Sequence, residues 1–317
     1  MLVPFLAFFN IQPEHNLDVL KANQSLAELS SVILSRIQPV LDHEKPDFVF
    51  IQGDTTTALM SGLAAFYAKI PVVHVEAGLR TFDRYSPFPE EMNRKLIGSL
   101  ADWHFAPTNT SKQNLLNEGI VHQVFVTGNT GIDGLRLVTE QIKTEPLVEK
   151  MILVTCHRRE NHGVALENIC DAILDLINQH SDVRVVFPVH LNPNVQKIVR
   201  TKLADQPRVT LCDPLGYEEF ATLMKQSYLM LTDSGGIQEE APYLKKPIFV
   251  LRESTERPEG VSAGVSMLVG SNRKKIVETV NRALNDSHFY SDFQKSLNPY
   301  GDGYASQKIL DYMGLRS

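Results

Sequence analysis

Ten short apolar runs recur along the chain, separated by segments with helical spacing: PDFVFIQG, PVVHVEAG, WHFAPT, QVFVTGN, MILVTC, VRVVFPVH, RVTLCDP, YLMLTDS, PIFVLRE and MLVG. Each is strand-like, and nearly all end in a small or polar residue. Such alternation predicts βαβ units with parallel sheets, an α/β fold of two Rossmann-like, doubly wound domains. Ligands of these sheets bind outside the carboxyl ends of the strands, so the residues just after each run are where chemistry is sought. The charged stretch KTEPLVEK, from Lys143 to Lys150 and broken by Pro146, marks the expected seam. It divides the chain into domains 1–148 and 149–317, facing each other across a cleft. The opening MLVPFLAFFN reads as an amphipathic helix, and the tail NPYGDGYASQKILDYMG as a turn and a closing helix of the second domain.

The composition narrows the class. With 317 residues, 43% of them hydrophobic, the chain can bury two ordinary cores. A formal charge of −6 with scattered Lys and Arg gives no footprint for nucleic acid. No stretch approaches the ~20 apolar residues of a membrane span, and the first residues lack the basic region and cleavage site of a signal peptide. Cys156, Cys170 and Cys212 do not form a disulfide framework and suit a reducing compartment, so a cytoplasmic protein is expected. No cofactor is expected either. GNTGIDG has the wrong spacing for a dinucleotide fingerprint, there is no GxxxxGK[ST] or HExxH, and the histidines of HRRENH lie off one helical face.

The most informative stretch is LTDSGGIQEEAPYLKKPIFVL, from Leu231 to Leu251. Ser234 can cap a helix whose first amides Gly235 and Gly236 leave open to a phosphate, while Glu240, one turn on, can accept from ribose hydroxyls. A plain capped helix with glutamates favouring its dipole explains the motif equally well. Further strand ends carry Asp54 in GDTTTA, Glu76 in HVEAGLRT, Glu90 and Arg94 in SPFPEEMNR, and His157, Arg158 and Arg159 in TCHRREN. Each alone is weak, since an Asp at a strand end is commonly a cap and an Arg commonly a surface residue. Together they suit acid/base work beside a diphosphate.

In order along the chain, GDTTTA, HVEAGLRT, SPFPEEMNR, HFAPT, TGNT, CHRREN, PVHLNPNV, LTDSGGIQEEAP, TERPEG and NPYGDG resemble the non-hydrolysing UDP-N-acetylglucosamine 2-epimerases, from about Ile11 to Tyr312. The resemblance implies a glycosyltransferase-B arrangement, a homodimer, a UDP-sugar substrate, and interconversion of UDP-GlcNAc and UDP-ManNAc. Elimination of UDP to a 2-acetamidoglucal and re-addition is the route expected, because C2 is not activated by a carbonyl and no nicotinamide motif is present. By resemblance, Asp54, Glu76, Glu90, Arg94 and His157 match catalytic positions. Phe220, Ser234, Gly235, Gly236, Glu240 and Arg257 match UDP-contacting positions, while His190 reads as a structural histidine. The family pattern begins with a strand and a GTRPE-type loop upstream of the position matched by Met1. The first domain is therefore expected to lack its central strand and to be unstable, poorly active or dependent on another chain. A hydrolysing relative that releases UDP and ManNAc, a glycosyltransferase, and an inactive partner subunit are the competing readings.

Overall fold

All ten apolar runs form strands: β1 Val49–Gln52, β2 Val72–Val75, β3 Trp103–Ala106, β4 Val124–Val126, β5 Lys150–Thr155, β6 Val183–Pro188, β7 Val209–Cys212, β8 Leu229–Thr232, β9 Ile248–Val250 and β10 Ser266–Leu268. The computed structural model describes the backbone of residues 2–143 and 148–315, and the expected Pro146 break lies outside them. The strands make two sheets, ordered β1-β2-β3-β4 and β10-β9-β8-β5-β6-β7, with every pairing parallel. The apolar opening is a helix, Leu2–Phe8. No helix among the described residues is long and apolar enough to cross a membrane.

The chain divides into two compact units, 1–130 with 304–317, and 131–303. This differs in two places from the division expected at 148/149. Helix Thr130–Gln141 goes with the second unit, where Lys225 Nζ donates to the carbonyls of Thr139 and Ile142 at its end, both at 2.7 Å. The closing helix, Ala305–Met313, packs instead on the first sheet. Its Ile309 joins Val73 and Phe105 in one cluster, and Tyr312 stacks on Phe125 with ring centroids 4.2 Å apart. Composition marked the polar connection before β5, whereas packing is decided by these apolar faces.

In the second unit β5 lies at the centre, buried along its four middle residues. Helix Val164–Gln179 covers it through Leu166, Ile169, Ile173 and Leu176, all fully buried. A strand buried on both faces must be apolar at consecutive positions, which explains why MILVT shows no alternation. Sheet order within this unit reverses between β5 and β8, the crevice where doubly wound sheets take their ligands. In the first unit β1 occupies a sheet edge and pairs with β2, so residues just after β1 and β2 are neighbours.

Candidate active site

At the carboxyl ends of β1 and β2 the chain turns sharply twice. Gly53 takes φ +69° and Glu76 takes φ +66°, a left-handed conformation that costs a residue with a Cβ about 1–2 kcal/mol. The first turn is held from β2: Gly53 N donates to Val75 O at 3.0 Å, and His74 Nε2 donates to Gly53 O at 2.8 Å. The second is held from helix Asn109–Asn117, whose Asn114 Nδ2 donates to Gly78 O at 3.0 Å. A methyl group on Gly78 would lie 2.1 Å from the Ser111 carbonyl oxygen, so no larger residue fits that turn. The outcome is that the Glu76 carboxylate reaches over Gly53, its Oε2 3.6 Å from where a Cβ would stand.

Asp54 follows Gly53 and receives Arg94, with Nε at 2.9 Å and Nη2 at 2.5 Å from Oδ2. Asn93 Nδ2 donates to the Asp54 carbonyl at 2.8 Å. The two glutamates that open helix Glu90–Leu100 separate in environment. Glu91 is fully buried and accepts from the amides of Thr81 and Phe82 and from Arg94, at 3.0, 3.1 and 3.2 Å. Glu90 is partly exposed. Asp54, Glu76 and Arg94 thus share one sheet end with Glu90 nearby on the helix, and Glu91 and Asn93 are the supporting residues that sequence reasoning missed.

In the second unit the site lies at the reversal point. Thr155 and Thr232, ending β5 and β8, join hydroxyls at 2.6 Å. Asp233 follows and is fully buried. Its carboxylate accepts from the amides of His157 and Arg158 at 2.9 Å each, from Asn161 Nδ2 at 2.9 Å and from His157 Nδ1 at 3.0 Å. Burial would raise its pKa, but the His157 ring, the Arg158 amide and Asn161 outweigh it and hold it at about 2. An ionised carboxylate on Nδ1 fixes the imidazole with Nδ1 protonated and Nε2 directed away, the orientation a general acid or base needs. The His157 ring lies over His190, centroids 5.9 Å apart. Asp233 was legible only as the residue before a helix.

Ser234 is the N-cap residue of helix Gly235–Glu240 but makes no capping bond with its side chain, contrary to the sequence expectation. Its amide instead donates to Thr232 Oγ1 at 3.0 Å, which leaves the hydroxyl uncommitted to the helix. Two guanidiniums converge on Gly235: a methyl group there would lie 3.8 Å from Arg158 Nη2 and 3.9 Å from Arg257 Nη2. Gly236 faces open space. Arg158 Nε is buried without a hydrogen-bond partner. Arg257 pairs with Glu239, so the adjacent glutamates divide: Glu239 holds an arginine, while burial and the neighbouring Glu239 push Glu240 up to about 7. Tyr217, which opens helix Tyr217–Gln226, has its phenol pushed well above the ordinary value by burial and by Glu240 beside it. Phe220 lies one turn further along that helix, partly buried.

Two Rossmann-like units, with acidic strand ends in one and a cationic glycine turn at the reversal point of the other, define an α/β protein of the glycosyltransferase-B-like class. The family model described as UDP-N-acetylglucosamine 2-epimerase matches residues 1–314. The UDP-N-acetylglucosamine 2-epimerase of Yersinia pestis is 50% identical, over 98% of this chain and 86% of that protein. Among solved structures, UDP-GlcNAc 2-epimerase from Neisseria meningitidis bound to UDP-GlcNAc is 45% identical, with a TM-score of 0.87 over 99% of this chain and 89% of that one. Methanocaldococcus jannaschii UDP-GlcNAc 2-epimerase in complex with UDP-GlcNAc and UDP is 36% identical, with a TM-score of 0.76 over 99% and 88%. The chain belongs to the UDP-N-acetylglucosamine 2-epimerase family.

Proposed function

We propose that this chain interconverts UDP-GlcNAc and UDP-ManNAc without releasing free sugar. The observation that carries the reading is the cationic turn at Gly235, where Arg158 and Arg257 converge beside His157 held by Asp233. A diphosphate on that turn would receive two guanidiniums, with Ser234, Gly235 and Gly236 against it. Glu240 would then accept from the ribose hydroxyls, and Phe220 would flank the base. Such a grip serves a reaction in which UDP is the leaving group, because it stabilises the charge that develops as the C1–O bond breaks.

The reaction balances without an oxidant. A carboxylate takes the C2 proton as the C1–O bond breaks, giving UDP and 2-acetamidoglucal. Addition of the UDP oxygen back to C1, with a proton delivered to the opposite face of C2, gives the epimer. Asp54, Glu76 and Glu90 supply acid/base groups, Arg94 orients Asp54, and His157 handles the proton at the leaving oxygen. A homodimer in the cytoplasm is the expected setting, in keeping with three free thiols.

Incubation with UDP-GlcNAc in deuterated buffer tests this through the anomeric and C2 proton resonances. The expected result is UDP-ManNAc at equilibrium with substrate, with solvent deuterium at C2 of both. Accumulation of free ManNAc and UDP would assign the chain to the hydrolysing relatives. Sedimentation of the purified protein checks the dimer.

A further inference from the structure

The NPYGDG motif has no part in the chemistry above, yet it meets the nucleotide grip from behind. Tyr300 is one of the largest fully buried side chains, 2% exposed. Its hydroxyl donates to the Arg257 carbonyl at 3.1 Å and accepts from the Gly260 amide at 2.9 Å. These two groups bracket the turn that leads into helix Pro258–Ser262. The amide of Tyr300 is itself held by Asn298 Oδ1 at 3.0 Å. Arg257 is thus fixed twice: its side chain by Glu239, across the glycine turn, and its backbone by the tyrosine hydroxyl. A methyl group on Gly260 would lie 2.9 Å from that hydroxyl, so the turn and the ring are fitted to one another.

We infer that Tyr300 is a positioning residue for the nucleotide diphosphate: its hydroxyl sets the backbone of Arg257 so that the guanidinium stands at Gly235. This rests on the proposed nucleotide site. A long cation on an unfixed turn would sample many positions, and ordering it would then be charged to binding. Held in advance by a buried phenol, it meets the diphosphate already placed.

Tyr300→Phe removes the hydroxyl and keeps the ring. The Gly260 amide retains the Arg257 carbonyl as partner, at 3.2 Å, so the variant should fold. We expect UDP, titrated calorimetrically, to bind about 5-fold more weakly, the scale of one hydrogen bond. KM for UDP-GlcNAc should rise by a similar factor while kcat stays within about twofold. The decisive measurement is the cycle with Arg257→Ala. The double variant should bind UDP no more weakly than Arg257→Ala alone, because the hydroxyl acts only through the arginine. Asn298→Ala, which frees the Tyr300 amide, should weaken UDP in the same direction and to a smaller extent. Wild-type affinity in Tyr300→Phe, or a loss that persists undiminished beside Arg257→Ala, would overturn the inference. If Arg257→Ala leaves UDP affinity unchanged, the nucleotide site is misplaced and the inference falls with it.

Discussion

Glu76 is an acidic residue with a Cβ in a left-handed turn at a strand end, a conformation glycine adopts without cost. Two substitutions separate the side chain's chemistry from its backbone. Glu76→Gln should fold as the parent does and lower turnover by roughly 10²-fold, the scale of a lost general acid or base. Glu76→Gly should lose activity at least as severely, while the roughly 1–2 kcal/mol of backbone strain it relieves offsets the entropy cost of glycine, about 0.5–1 kcal/mol, and the side-chain interactions it gives up. Rates and thermal melts on the same samples check both, and near-parental turnover in the glutamine variant would remove Glu76 from the chemistry. Asp233 is the opposite case, a residue whose charge the fold needs. Held at about 2 in the folded protein against about 3.9 unfolded, it contributes stability that is present above about pH 4 and lost as pH falls toward 2. Asp233→Asn should abolish that acid-side loss in urea titrations, be less stable than the parent at about pH 7, and lower kcat through the released His157.

Among the elements, the ends of β1 and β2 depend on a buried histidine that stays neutral. Burial lowers His74 to about 4, with the Gly53 carbonyl working the other way, and burial lowers His104 to about 4 against the Ala101 carbonyl. The two are partners in register on β2 and β3. Both folded values lie below the ordinary 6.5, so their contribution is intact above pH 6.5 and declines as pH falls toward 4. A tenfold change in proton affinity corresponds to about 1.4 kcal/mol, so each histidine can withdraw about 3 kcal/mol from the first unit. The midpoint of urea unfolding should therefore fall between about pH 7 and pH 5, and His74→Gln should flatten that fall while keeping a donor for Gly53. A parental slope in the variant would mean that other groups carry the acid sensitivity. The histidine was visible in the sequence only as an interruption of PVVHV. All ten strands were legible as short apolar runs, a local signal that is strongest where burial on both faces demands consecutive apolar residues, as in β5, β8 and β9. The hydrogen bonds from His74 to Gly53, Asn93 to Asp54 and Tyr300 to Arg257 join residues 21, 39 and 43 positions apart. No periodicity records a partner at that distance. The compact units divide elsewhere than the charged seam for a related reason: a charged break reports exposure of the connection, while Ile309 and Tyr312 decide where the last helix packs.

At the scale of the whole molecule the formal charge is −6, and the proposed ligand is itself an anion, so the binding site must manage protons locally. In the proposed site Arg158 and Arg257 would face the diphosphate, while the ribose end would meet Glu240, which burial and Glu239 raise to about 7. Near neutral pH this carboxyl is about half protonated, and a protonated acid accepts less well from two hydroxyls than a carboxylate does. UDP should therefore bind the ionised form and expel roughly half a proton from Glu240 at about pH 7. Across about pH 8 to 6 the ionised fraction falls about tenfold, and UDP affinity should fall with it. Phosphate groups also titrate, near pH 6, and would add a slope of their own. Glu240→Gln separates the two, since it accepts a hydroxyl at every pH and carries no proton to release. Calorimetry in buffers of different ionisation enthalpy reads the proton count directly. Release should be present in the parent and reduced by roughly half a proton in the glutamine variant at about pH 7, with a shallower pH profile. Equal proton release by the two proteins would place the ribose elsewhere and return the glutamate to a purely structural part.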